Sequence, residues 1–128
     1  MGIENKLKDF FRREQGVRLS FLFGSYVKGN YGLLSDTDIA VYLNKERDAD
    51  EIWTKLEVLL KRNVDLLILN RASPIIAWDA VRTGIPLKIK DRKFFIDYLL
   101  KLSGEAEDFR TFTLDALELK LKRRHANK

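Results

Sequence analysis

The chain has 128 residues and no cysteine, is 45% hydrophobic and 34% charged, and carries a formal net charge of +5. That length suits one domain with a real core, and the missing thiols exclude a disulfide framework, a Cys-based zinc site and a cysteine nucleophile. No apolar run approaches the roughly 20 residues that cross a bilayer, and the positive balance favours an anionic substrate or partner.

The first residues, Met1 to Lys6, lack the charged-then-apolar layout of a signal peptide, so a cytoplasmic protein is expected. Leu7, Phe10 and Phe11 recur at helical spacing among charges, which predicts an amphipathic helix over residues 3–14 that ends before Gly16. Residues 17–23 read as an apolar strand, Ser25 opens a short helix, Gly29 to Gly32 is a turn, and residues 37–43 form a second strand. Asp48 or Asp50 caps the next helix, on which Ile52, Trp53, Leu56, Leu59 and Leu60 share a face. Val64 to Leu69 is a third, buried strand.

Ser73-Pro74 is an N-cap followed by proline at the first helical position, and the helix it opens stops at Gly84. Ile85 to Ile89 is a fourth strand, placed at a sheet edge because Pro86 has no N–H for a ladder. From Asp91 onward Phe95, Tyr98, Leu99, Leu102, Ala106, Phe109, Ala116 and Leu117 fall mostly at three- and four-residue steps. That spacing predicts one long helix, or two broken near Ser103-Gly104. Strands alternating with helices make an α/β sandwich on a mixed sheet of about four strands. Residues 1–128 are read as one domain, with a core over 17–90 and a helical region over 91–124.

The chemistry concentrates between residues 21 and 65. An apolar strand feeds Gly24-Ser25, where a turn at a helix start offers backbone N–H groups to phosphate oxygens. Gly24 lets those oxygens approach the backbone, and Ser25 Oγ is placed to donate to a β- or γ-phosphate. Lys28, one helical turn on, either reaches the triphosphate or stays in solvent. Ser35 is a candidate to cap or orient Asp36. Asp36 and Asp38, two apart on a strand, face one side at roughly 6.5 Å along the chain, with Thr37 and Ile39 facing the other. Such carboxylates suit a pair of Mg²⁺ ions about 3.5–4 Å apart and an in-line displacement at phosphorus. Asp65 sits in an otherwise apolar strand, where a buried, unpaired carboxylate is costly. A metal accounts for three acids that otherwise repel one another. Asp65 would complete the second metal's shell and take the proton of an attacking hydroxyl. Taken alone, Asp36 is an ordinary turn residue; the same-face partner and the third acid change that reading.

Gly24-Ser25, a short helix, Asp36-x-Asp38 and a later-strand Asp65, in this order, resemble the nucleotidyltransferase superfamily that includes DNA polymerase β. The small size and the run Arg82-Thr83-Gly84-Ile85-Pro86-Leu87 after a helix resemble the minimal nucleotidyltransferases of prokaryotes. The motif core covers residues 19–69, and a weaker resemblance extends to about residue 90. It implies the polymerase β-like fold and Mg²⁺-dependent transfer of a nucleoside monophosphate, AMP from ATP above all, to a hydroxyl. Minimal members pair with small helical HEPN proteins as antitoxins, and some transfer AMP to a tyrosine of that toxin. A HEPN ribonuclease carries an Arg, four to six residues, then His; no such pair surrounds His125, so the resemblance implies the antitoxin half.

Two other readings stay open: a non-catalytic binding module that masks a partner's surface, and an aminoglycoside-type nucleotidyltransferase. Three retained acids argue against the first, and the basic C-terminal region against the second. Trp53, Trp78, Tyr26 and Tyr42 are read as packing residues. The apolar stripe Phe95, Leu99, Leu102, Phe109 and Leu117 exceeds what one small sheet covers and is expected to meet a protein partner. A homo-oligomer is equally open. The basic tail from Lys120 to Lys128 lacks the interleaved aromatic residues that stack bases, so nucleic acid is not the expected partner.

Overall fold

Leu7 and Phe11, one helical turn apart, are fully buried in helix α1 (Ile3–Arg13) and fix which of its faces meets the rest of the chain. The computed structural model of the protein describes residues 2–24 and 37–104. Within them α1 leads to strands β1 (Val17–Phe23) and β2 (Thr37–Leu43), a short 3₁₀ turn (Glu46–Asp48), helix α2 (Ala49–Leu60) and strand β3 (Val64–Ile68). Helix α3 (Pro74–Thr83), strand β4 (Ile85–Ile89) and helical residues 92–104, here α4, follow.

The sheet runs β3-β2-β1-β4, with β1 antiparallel to both β2 and β4, and β2 parallel to β3. A parallel pair needs a crossover, and α2 supplies it. Leu7, Phe11, Leu22, Ile39, Ile52 and Leu56 make one core between the sheet and helices α1 and α2. Phe21, Ala40, Ala77, Val81 and Leu102 make a second on the opposite face, with Tyr42, Phe94, Phe95 and Tyr98 packed against it. Both faces of β1 and β2 are therefore covered, which is why these strands read as apolar runs rather than as alternation. Burial of side chains the size of Phe21 or Leu56 contributes about 1.5–3 kcal/mol each.

Several local expectations hold for visible physical reasons. Pro86 lies in β4, which among the described residues is an edge strand paired only with β1. Ser73 Oγ accepts the Ile76 amide at 3.4 Å, with Pro74 at the first helical position of α3. The cap expected of Asp48 or Asp50 does not hold: Asp48 occupies the N-cap position of α2 without a side-chain cap bond, because the 3₁₀ turn leads into the helix. The Lys61 backbone ends α2 in the left-handed region at φ 54°, its amide on the Glu57 carbonyl at 2.8 Å.

The reading of the C-terminal stripe is corrected as well. Phe95 and Leu99 pack on the second core, Phe95 with its ring 5.7 Å from that of Phe21, and Leu102 is buried. The sheet therefore does cover this part of the stripe. The exposed apolar residues of α4 are instead Ile96 and Leu100. Phe109, Leu117, Tyr26, His125 and the basic tail lie outside the described residues. Among the described residues no helix is long and apolar enough to cross a membrane.

Candidate active site

The last residue of β1, Phe23, is the register partner of Asp38 on β2, and Asp38 is in turn the register partner of Asp65 on β3. Three strands thus deliver Gly24, Asp38 and Asp65 to one end of the sheet. Adjacent strands lie about 4.8 Å apart, so two carboxylates in register on one face come within reach of a single cation. They do share a face: Asp38 alternates with Ala40 and Tyr42, Asp65 with Leu67, and those three residues all belong to the second core. Thr37 and Ile39 point the opposite way, both fully buried.

Gly24 is required twice over. Its φ of +71° is left-handed backbone, and a Cβ built there would fall on the Asp38 side chain, 2.8 Å from Cγ. Gly24 therefore lies directly against the Asp38 side chain.

Asp38 is partly buried, but Asp65 is exposed, contrary to the expectation of a buried acid. The apolar run around Asp65 misled because β3 is an edge strand among the described residues and Asp65 lies near its start, where the residue is exposed. What favours a cation here is two acids in register on one face, not desolvation of Asp65.

Asp38 and Asp65 present hard oxygen donors at an open sheet end, the donor chemistry that Mg²⁺ takes, and the glycine keeps the adjoining turn free of side-chain bulk. Asp36, Ser25, Lys28 and Ser35 lie outside the described residues. Among the described residues no group of three His, Cys, Asp or Glu side chains assembles. A cavity of about 300 Å³ lined by Tyr42, Asn70, Phe94, Tyr98 and Lys101 lies elsewhere. Tyr42 is four residues along β2 from Asp38, roughly 13 Å away, so this space does not join the acid pair.

Trp53, expected only to pack, joins Arg62, Asn63 and Glu57, to which the sequence gives no role, in holding the two strand starts together. The Thr37 amide donates to the Asn63 carbonyl at 3.2 Å, and Arg62 Nη1 makes a long 3.5 Å bond to Thr37 Oγ1. Trp53 Nε1 donates to the Val64 carbonyl at 2.6 Å, while Glu57 Oε2 accepts the Val64 amide at 2.9 Å. The only signal in the sequence was the four-residue spacing of Trp53 and Glu57, which places them on one helix face without saying what they meet.

The family model described as Polymerase beta, Nucleotidyltransferase matches residues 5–93. A chain of the crystal structure of a toxin-antitoxin with AMP-PNP is 27% identical, with a TM-score of 0.70 over 91% of this chain and 99% of that one. A chain of the toxin-antitoxin MntA-HepT is 26% identical, with a TM-score of 0.60 over 90% of this chain and 96% of that one. In the complex of a tri-AMPylated Shewanella oneidensis HEPN toxin with MNT antitoxin, a chain 23% identical shares the fold at a TM-score of 0.61, over 91% and 99% of the two. No curated protein matches. The family match spans well over half of the chain and contains the whole strand framework that carries Gly24, Asp38 and Asp65, so the chain belongs to the polymerase beta nucleotidyltransferase family.

Proposed function

We propose that this chain transfers AMP from ATP to a tyrosine hydroxyl of a HEPN-type partner, acting as the antitoxin of a toxin-antitoxin pair. The observation that carries the chemistry is the in-register placement of Asp38 and Asp65 beside Gly24. Support for the partner comes from the solved relatives, which are toxin-antitoxin complexes, one of them with AMP-PNP. The unbalanced positive charge of the chain suits both a triphosphate and an acidic partner surface.

In this reading Asp38 and Asp65, with Asp36, would hold Mg²⁺, which when bound would supply Lewis-acid stabilisation of the phosphate oxygens. The turn at Gly24-Ser25 cradles the triphosphate with backbone N–H groups and Ser25 Oγ, and Lys28 and Ser35 lie in the same stretch. The acceptor oxygen attacks the α-phosphorus, the bond to the β-phosphate oxygen breaks, and pyrophosphate leaves. The exposed Asp65 carboxylate takes the hydroxyl proton, an accessible position for a base that must meet a macromolecular acceptor.

Intact mass of the chain and a HEPN partner, incubated together and apart with ATP and Mg²⁺, tests the proposal. Addition of one or more AMP masses to the partner, dependent on both ATP and Mg²⁺, is expected. A complex that forms without any mass change would leave a masking module, and modification of an aminoglycoside instead would reassign the acceptor.

A further inference from the structure

We infer that Trp53 and Glu57 are positioning residues for Asp65, acting through the backbone of Val64; the inference rests on the assignment of Asp65 to the metal site. Along β3 the odd-numbered residues face β2: the Asn63 carbonyl accepts from Thr37, and the Leu69 amide donates to Val41. Val64 therefore turns its own amide and carbonyl outward, along the free edge of the sheet. An edge with unpaired backbone groups is open to pairing with another chain. Here one helix supplies both missing partners. Trp53 and Glu57, four apart on α2, take the Val64 carbonyl at 2.6 Å and the Val64 amide at 2.9 Å.

The clamp closes on the residue immediately before Asp65 and on the register partner of Thr37, which itself precedes Asp38. From the other side, the bond from the Thr37 amide to the Asn63 carbonyl fixes the same strand start. Val64 is thus held on both of its edges, directly or through its neighbour. The Cα of the exposed Asp65 inherits that fixed frame although its carboxylate is in solvent. This also explains a Trp that is 36% exposed yet donates a short bond to backbone. Packing alone would be served by Phe or Leu. An indole N–H is needed where an outward carbonyl must be satisfied.

Full-length variants test the role, with Mn²⁺ binding in the presence of AMP-PNP measured by calorimetry beside transfer kinetics and thermal melting. Trp53→Phe keeps the ring and loses the N–H; Glu57→Ala loses the acceptor; Glu57→Gln retains an oxygen that can accept the same amide. Supporting groups around metal ligands typically cost about 10–100-fold in affinity or activity when removed. We therefore expect Trp53→Phe and Glu57→Ala each to weaken Mn²⁺ binding about 10-fold, to lower kcat and to leave KM for ATP near wild type. Glu57→Gln should restore both, and Val58→Ala, at an exposed position of the same helix, should change neither.

In an Asp65→Asn background Glu57→Ala should have no further effect on Mn²⁺, because the clamp acts through that carboxylate. Wild-type Mn²⁺ affinity in Asp65→Asn would overturn the metal assignment itself. A loss in Asp65→Asn, with undiminished affinity in Trp53→Phe and Glu57→Ala, would overturn the positioning role alone. So would a Glu57→Ala loss of equal size with and without the Asp65 carboxylate, which would make the clamp a matter of stability only.

Discussion

Asp38 and Asp65 face each other in register across the parallel strands β2 and β3, on the face of the sheet that also carries Tyr42 and Leu67. The pairing follows from the crossover: α2 returns the chain so that β3 starts beside the start of β2, and both acids fall in the second position of their strands. Two carboxylates one strand spacing apart repel unless a cation lies between them.

Replacing either acid with asparagine should therefore abolish transfer while leaving the fold intact, because the change relieves repulsion without opening a cavity. The expected loss exceeds the roughly 10–100-fold that accompanies removal of a group merely supporting a metal ligand. Thermal melting should show Asp38→Asn and Asp65→Asn at least as stable as the wild type. Transfer by Asp38→Asn at the wild-type rate would sink the metal assignment.

The acid pair also shows what the sequence could and could not convey. Strand limits, the edge position of Pro86 and the Ser73 cap were legible because each depends on a few neighbouring residues. Same-face placement of Asp38 with Ala40 and Tyr42 followed from strand periodicity. The exposure of Asp65 was not legible, since an apolar run looks the same on a central strand and on an edge strand whose two faces are covered. Nor was the use of Trp53 and Glu57, because a helical spacing names a face and only the crossover decides which backbone it meets. How far the sheet covers the α4 stripe was not legible for the same reason: Phe21 lies far from Phe95 in sequence and against it in space.

Gly24 should tolerate substitution worse than Ser25. A left-handed backbone costs a residue with a Cβ about 1–2 kcal/mol, and at φ +71° the added atom would also displace the Asp38 carboxylate. Gly24→Val should weaken binding of AMP-PNP with Mg²⁺ more than Ser25→Ala, which removes one hydroxyl donor. Calorimetric titration of the two variants decides; undiminished affinity in both would show that phosphate binds elsewhere.

The second core can be tested separately from the chemistry. Phe21 is fully buried, and its ring packs on that of Phe95 from α4. Phe21→Ala should lower unfolding stability by about 3–5 kcal/mol, read from the shift of the urea midpoint at constant m-value. A loss below about 1 kcal/mol would mean that α4 does not hold this position in solution.

The last prediction concerns residues 120–128, where Lys120, Lys122, Arg123, Arg124 and Lys128 carry five positive charges and no acid, equal to the whole formal excess of +5. Removing them leaves a chain of zero formal charge with its strands, acids and turn unchanged. If the tail meets an acidic surface of the HEPN-type partner, truncation should weaken complex formation most at low salt and least at high salt. Screening already suppresses exposed charge pairs beyond about 8 Å at physiological ionic strength. Binding of Mg²⁺ and AMP-PNP should survive, because none of the nine deleted residues belongs to the stretch from Gly24 to Asp65. Affinity for the partner measured at two salt concentrations, full-length against truncated, gives the answer. A truncated chain that keeps its partner at both salts but loses affinity for RNA would assign the tail to nucleic acid, with the log of that affinity falling linearly against the log of salt.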